Sequence, residues 1–265
     1  MDHYEEFGLR YDVSGHVATI TLCRPEARNP QSPKMWAALA EIGETLPAGV
    51  RVAVLRSEGE SFSAGLDRGM FTPAGVPGDT SFAELLELDD QALAESIAVF
   101  QEAFSWWRRP GLTSVAIVQG HAVGAGFQLA LACDLRVVAD DAQFAMREAS
   151  LGLVPDLGGT WPLVQAVGYS RALEICLTGR WVDARESAEL GLATIVVPRE
   201  DLDAAVDDLV EAVTSAPAGA ATATKGLLMG ASTRSYTDQI AAERSAQVKR
   251  LRALAEMWQG TTDPM

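Results

Sequence analysis

Two glycine-rich segments and two carboxylates are the residues of this 265-residue chain whose types and spacing could do chemistry. The first segment, Ser61-Phe62-Ser63-Ala64-Gly65-Leu66-Asp67, follows the apolar run Val52 to Leu55, and its small residues let backbone approach a ligand closely. The second, Gly120-His121-Ala122-Val123-Gly124-Ala125-Gly126, follows the run Thr113 to Val118 and opens an apolar helix over Phe127 to Cys133. Free N–H groups at such a helix start favour developing negative charge. Further on, Gln143-Phe144-Ala145-Met146-Arg147-Glu148 leads into Leu151-Gly152-Leu153-Val154-Pro155-Asp156-Leu157-Gly158-Gly159-Thr160, which sets Glu148 and Asp156 eight positions apart around a Gly/Pro-rich turn. Taken singly, either glycine segment also reads as a tight turn or a close helix contact.

Several other chemistries fit poorly. The glycine spacing is not that of a dinucleotide-binding turn, and no acidic residue ends a suitable following strand. A Ser/His hydrolase lacks its GxSxG elbow, and the other histidines, His3 and His16, stand near the N-terminus, so His121 reads as lining. Cys23, Cys133 and Cys176 are far apart, which fits reduced, buried thiols and neither a disulfide framework nor a zinc site. No metal and no tightly bound cofactor is expected. A formal net charge of -15 disfavours nucleic acid, and it also sets a long-range field against any polyanionic ligand, whose phosphates would need local Arg, Lys or helix N-termini. No apolar run is long enough to span a bilayer, and the opening MDHYEEFGLRYD lacks the features of a secretory signal, so a cytoplasmic protein without a membrane role is expected.

The elements that must position these groups are also legible. Leu9 to Leu22 alternates around Ser14-Gly15 as a hairpin, and Met35, Trp36, Leu39, Ile42 and Leu46 follow Ser32-Pro33 at helical spacing. The apolar runs Val52 to Leu55, Thr113 to Val118 and Leu135 to Ala139 read as buried strands in a βα-layered core, with Leu192 to Val197 extended beyond them. Leu202 to Ser215, Ala218 to Met229 and Thr237 to Met257 read as helices, giving a core over 1–197 and a helical region over 198–265. Thr72 to Thr80 is rich in Pro and Gly and reads as a mobile loop bordering a ligand site. Trp106, Trp107 and Trp161 fit either core or pocket wall.

The FSAGLD, GHAVGAGF, QFAMRE and GLVPDLGGT segments, in that order and spacing, resemble the crotonase (enoyl-CoA hydratase/isomerase) superfamily, and the stretch from Leu177-Thr178-Gly179-Arg180 to Gly191-Leu192 is similar to that family too. The resemblance spans nearly the whole chain. It implies an α/β fold, a spiral of repeated ββα units with a C-terminal α-helical subdomain that builds trimers, often paired into hexamers. It implies an acyl-CoA thioester as substrate, with CoA entering as part of it. The thioester oxygen would sit on the backbone N–H groups of Leu66 and Ala125, an oxyanion hole for the enolate left when a proton leaves the adjacent carbon. Ala64 and Asp67 would flank the nucleotide end of CoA, and Arg24 and Arg28 of the CRPEARNP segment would neighbour its phosphates.

One position departs from the family pattern. Hydratases of the family use two glutamates, and this chain keeps one at Glu148 but carries Gln128 at the other. A glutamine can orient water but accepts no proton at neutral pH. Acid/base work then falls to Glu148 and Asp156, the latter at a position where some family isomerases and dehalogenases carry a functional aspartate. Outside the family context Asp156 reads as a turn residue or helix N-cap, Glu148 as a solvated loop carboxylate, and Leu66 and Ala125 as core contacts. The expected activity is a double-bond shift in an enoyl-CoA. The alternatives are hydration of a trans-2-enoyl-CoA, Asp156 acting as a nucleophile, and acyl-CoA binding without chemistry.

Overall fold

The computed structural model describes residues 3–72 and 75–261; Pro73 and Ala74, within the expected Thr72 to Thr80 loop, lie outside the described residues. Strands β1 (Leu9–Ser14) and β2 (Val17–Leu22) form the expected hairpin, paired antiparallel from Leu9↔Leu22 to Ser14↔Val17. Then come β3 (Pro30–Gln31) and α1 (Pro33–Thr45), the latter capped by the Ser32 side chain, which accepts from Met35 N. β4 (Val52–Ser57), β5 (Gly65–Leu66), α2 (Phe82–Leu86) and α3 (Asp90–Ser105) follow, then β6 (Thr113–Val118), β7 (His121–Val123) and α4 (Ala125–Ala132). β8 (Leu135–Ala139), β9 (Gln143–Ala145), α5 (Thr160–Val167) and α6 (Tyr169–Thr178) come next. The chain closes with β10 (Val182–Asp183), α7 (Ala184–Glu189), β11 (Ile195–Val197), α8 (Leu202–Ser215), α9 (Ala218–Gly230) and α10 (Tyr236–Thr261).

The long strands build a sheet in the order β1-β2-β4-β6-β8-β11, parallel from β2 onward. Strand alternation sorts its side chains into two cores. Val52, Val54, Val115, Ile117, Val137 and Ala139 face α8 through Leu202 and Val206. Ala53, Leu55, Ala116, Val118 and Val138 face the larger core, where Trp36, Leu39, Phe104 and Phe127 pack. Burial on both faces is why β4, β6 and β8 read as continuous apolar runs and not as alternating ones.

Each of β4, β6 and β8 is followed by a short strand in a second layer: β3 pairs with β5, β7 with β9, and β9 with β10, while a Ser63↔Ala122 bridge ties the β5 segment to β7. This is a repeated ββα spiral, and the short strands are its useful part, since they set the Gly65 and Gly124 turns side by side. At the C-terminal end α9 packs with α10, and Lys225 of α9 reaches back to Asp134 Oδ2 at 2.6 Å and to Leu112 O. No helix among the described residues is long and apolar enough to cross a membrane.

Candidate active site

The backbone part of the site consists of two turns locked together. Gly65 has φ +85°, and a Cβ there would collide with Val123 O and lie 3.5 Å from Ala125 N. A Cβ on Gly126 would lie 2.6 Å from Ser63 O. Only glycine permits this approach, so Leu66 is held beside the first turn of α4 by bare backbone. Gly124, at φ +52°, donates its N–H to Ala145 O at 2.8 Å and turns the chain into α4. The helix therefore begins at Ala125, two residues earlier than the expected Phe127, and the Ala125 N–H has no acceptor within its own helix.

The far end of α4 is capped by cations. Arg136 Nη1 donates to Cys133 O at 2.9 Å, and Arg108 Nη2 donates to Leu131 O at 2.8 Å. Positive charge at a helix C-terminus complements the dipole whose positive end lies at Ala125. Cys133 among them is fully buried and its thiol is pushed up to about 12 by burial; Cys23 and Cys176 are only partly buried.

Sequence reasoning passed over what fixes the Gly65 turn. Buried Asn29 accepts from Arg24 N at 2.8 Å and donates to Glu58 O and Ser61 O, both at 2.9 Å. Ser63 Oγ donates to Asn29 O at 2.7 Å and accepts from Gly65 N at 3.2 Å. The Asn-Pro pair in CRPEARNP was the available signal for a built turn.

Glu148 opens a 3-10 turn after β9 and is buried, so it is not a solvated loop carboxylate. Its Oε1 accepts from Gln128 Nε2 at 2.7 Å. A Cβ on Gly124 would lie 3.3 Å from that same oxygen, which puts the carboxylate over the start of α4. Its Oε2 is buried with no hydrogen-bond partner among the described residues. Burial raises the Glu148 pKa, the Gln128 donation opposes that, and the charge of Asp156 adds to it. Asp156 is partly buried, and burial raises its pKa as well. It does not cap α5, whose N-cap is Gly159.

Gln128 ties the Glu148 carboxylate to the backbone that follows Asp156. Its Oε1 accepts from Leu157 N at 3.0 Å and Gly159 N at 3.3 Å, and these two donors fix the amide so that Nε2 must face Glu148. Asp156 O in turn accepts from Gln101 Nε2 at 2.5 Å. Beside this network lies a cavity of about 270 Å³ lined by Gln101, Phe104, Arg108, Gln128, Leu157 and Trp161 among others. Trp161 is therefore a pocket wall, whereas Trp106 and Trp107 stack in the core at 3.9 Å. The α3 contribution escaped the sequence reading although Leu93, Ile97, Phe100 and Phe104 keep a helical spacing behind the Asp89 cap.

The four residues expected near the nucleotide end come together at the Gly65 turn. Ala64 N donates to Arg28 O at 2.8 Å, and Arg24 pairs with Asp67 at 3.4 Å, while Asp67 also accepts from Gly69 N at 2.9 Å. Arg28 is exposed in a left-handed conformation. His121 meets Ser61 Oγ at 3.2 Å and the Trp181 ring. Among the described residues no group of three or more His, Cys, Asp or Glu is placed to hold a metal.

Comparison with known proteins agrees with this geometry. A profile of the family described as enoyl-CoA hydratase/isomerase matches residues 12–260. A Thermobifida fusca protein whose structure was solved in complex with acetoacetyl-CoA is 49% identical, with a TM-score of 0.91 over 94% of this chain and 96% of that one. The (E)-benzylidenesuccinyl-CoA hydratase of Thauera aromatica is 33% identical over 81% of this chain and 79% of its own. The mitochondrial Delta(3,5)-Delta(2,4)-dienoyl-CoA isomerase of Dictyostelium discoideum is 28% identical over 75% and 67% respectively.

Proposed function

The chain belongs to the enoyl-CoA hydratase/isomerase family, and from that premise we propose that it shifts a double bond of an enoyl-CoA through a thioester enolate. The observation that carries this reading is the placement of Glu148 and Asp156, two carboxyls whose pKa burial raises, with Gln128 donating to the Glu148 carboxylate and accepting from Leu157 N next to Asp156. A double-bond shift removes a proton at the carbon next to the thioester and returns one two carbons further on. Groups whose pKa is moved toward neutrality both accept and donate readily. The negative charge formed between the two steps rests on the thioester oxygen, which the Leu66 and Ala125 N–H groups would hold. No activated water is needed, and Gln128, occupied by Leu157, Gly159 and Glu148, is suited to clamping Glu148 against the turn that follows Asp156.

The CoA moiety would run past Ala64 and Asp67 with its phosphates toward Arg24 and Arg28, a reading supported by the acetoacetyl-CoA complex of the Thermobifida relative. Local arginines would offset the repulsion expected from the net charge of -15. The exposed apolar side chains Leu228, Met229, Val248 and Leu251 on α9 and α10 support reading this helical pair as the surface that builds a homotrimer or a hexamer of two trimers.

One observation favours hydration as a second reading: Glu148 Oε2 has no hydrogen-bond partner among the described residues, and the Thauera relative is named a hydratase. Incubating the protein with 3-enoyl-CoA and, separately, 2-enoyl-CoA distinguishes the two. Conversion of the 3-enoyl to the 2-enoyl isomer at unchanged mass, lost in Glu148→Gln and Asp156→Asn, supports isomerisation. A gain of one water on the 2-enoyl substrate at a comparable rate replaces it with hydration. Tight binding without turnover of either leaves an acyl-CoA-binding protein.

A further inference from the structure

The cavity next to Gln128 is apolar over most of its wall, through Phe104, Leu157, Trp161 and Pro162, but its two ends are not. Gln128 and Gln101 stand at the end that carries Glu148 and Asp156. Arg108 stands at the opposite end, where its Nη2 reaches Leu131 O near the C-terminus of α4. From Gln128 to Ala132, both in the wall, α4 rises by about 6 Å. An acyl chain entering past the carboxylates would therefore meet Arg108 after a short run.

Arg108 is arranged for an anion. Its guanidinium lies over the ring of Trp161, another wall residue, at 5.6 Å from the ring centroid. Its Nη2 is taken up by Leu131 O and Cys133 O, whereas no hydrogen bond to a described residue engages its Nη1. Arg108 and neighbouring Arg136 reach only backbone carbonyls of α4 and its surroundings and pair with no carboxylate among the described residues. The nearby carboxylate Asp134 is taken up by Lys225. In a chain of net charge -15 this cavity end holds a local surplus of positive charge.

We propose that the cavity selects acyl-CoA thioesters whose acyl chain ends in a carboxylate, with Arg108 as the residue that recognises that terminus. The proposal rests on the acyl-CoA reading above and adds the substrate class. Arg offers planar donors that match a carboxylate, and an apolar wall strengthens the pairing by excluding water. A volume of about 270 Å³ limits the chain to a short one.

Calorimetric titration with adipoyl-CoA and hexanoyl-CoA, saturated thioesters of equal chain length that undergo no double-bond chemistry, tests it. Wild type should bind adipoyl-CoA about tenfold or more tighter. Arg108→Met should bring the two affinities together, and Arg108→Lys should fall between, with melting curves checking that each variant is folded. Equal binding, or tighter binding of hexanoyl-CoA, by wild type overturns the proposal alone and leaves the acyl-CoA reading standing. A preference for adipoyl-CoA that survives in Arg108→Met also overturns it. Binding of neither thioester overturns both. Should Arg108→Met fail to fold, the wild-type preference and Arg108→Lys still decide.

Discussion

The Gly65 and Gly124 turns hold their N–H groups by backbone packed on backbone, whereas the Glu148 to Asp156 loop buries two carboxylates at a cost and holds that of Glu148 by a side-chain hydrogen bond from Gln128. The first arrangement is rigid and electrically quiet before substrate arrives, since peptide dipoles carry no net charge to desolvate. The second stores an unfavourable burial, because proton transfer needs carboxyls whose affinity for a proton is higher than water would leave it. The two halves meet where the Glu148 carboxylate overlies Gly124, and they should fail in different ways.

The largest effect should come from the carboxylate half. Glu148→Gln keeps the shape and the contact to Gln128 but cannot take a proton, so turnover should fall by roughly 100- to 10,000-fold while acyl-CoA binding is kept. Turnover and a binding isotherm measured on the same preparation check this, and unchanged turnover would remove Glu148 from the chemistry. Gly65→Ala should come next. A Cβ there collides with Val123 O and pushes Leu66 away from Ala125, which should lower turnover by about 100- to 1,000-fold, the usual cost of one lost donor. Gly15→Ala is the control, because its φ is also positive, at +59°, yet nothing lies within 4 Å. It should cost about 1 kcal/mol of stability and no activity. Equal activity in both variants would dissolve the distinction between a site glycine and a turn glycine.

The same contrast explains what the sequence reveals. Glycines that must accept a close backbone leave a trace in residue type, and so the Gly65 and Gly124 turns could be anticipated, as could the buried runs β4, β6 and β8. The clamp through Gln128 left no such trace. Its partners are the backbone N–H groups of Leu157 and Gly159, some thirty positions away, and any residue but proline supplies those. The same holds for Asn29 and Ser63, whose hydrogen bonds are to backbone across the fold. The helix α3 was readable in its spacing, but its place against the cavity was not, because only the tertiary fold brings Gln101 to Asp156. As for α4, its start at Ala125 follows from the Gly124 conformation, whereas the apolar pattern alone begins at Phe127.

Gln128→Leu isolates the clamp. It leaves the Leu157 and Gly159 N–H groups buried without an acceptor, at about 1–3 kcal/mol each, which for a chain of this size should lower the Tm by several degrees. It also removes a donor that holds the Glu148 pKa down, so the acid limb of the pH–rate profile should move upward. An unmoved limb with a lowered Tm would reduce Gln128 to packing.

The smallest effect bears most directly on the claim that the loop carries an unfavourable burial. Burial raises the folded Glu148 pKa above 4.5, with Asp156 adding to it, so the native chain holds that proton more tightly than the unfolded chain does. The stabilisation from this group is then fully present below about pH 4.5 and is lost as pH rises through the raised folded value. Above that window the desolvated carboxyl is a burden on the fold. Glu148→Gln removes that burden, so its Tm should exceed that of wild type at neutral pH, and the difference should shrink toward zero as pH falls to about 4. A series of melts across that interval reads it. A difference that stays constant with pH would mean that Glu148 titrates as it does in water, and the contrast between a quiet backbone half and a loaded side-chain half would then rest on Asp156 alone.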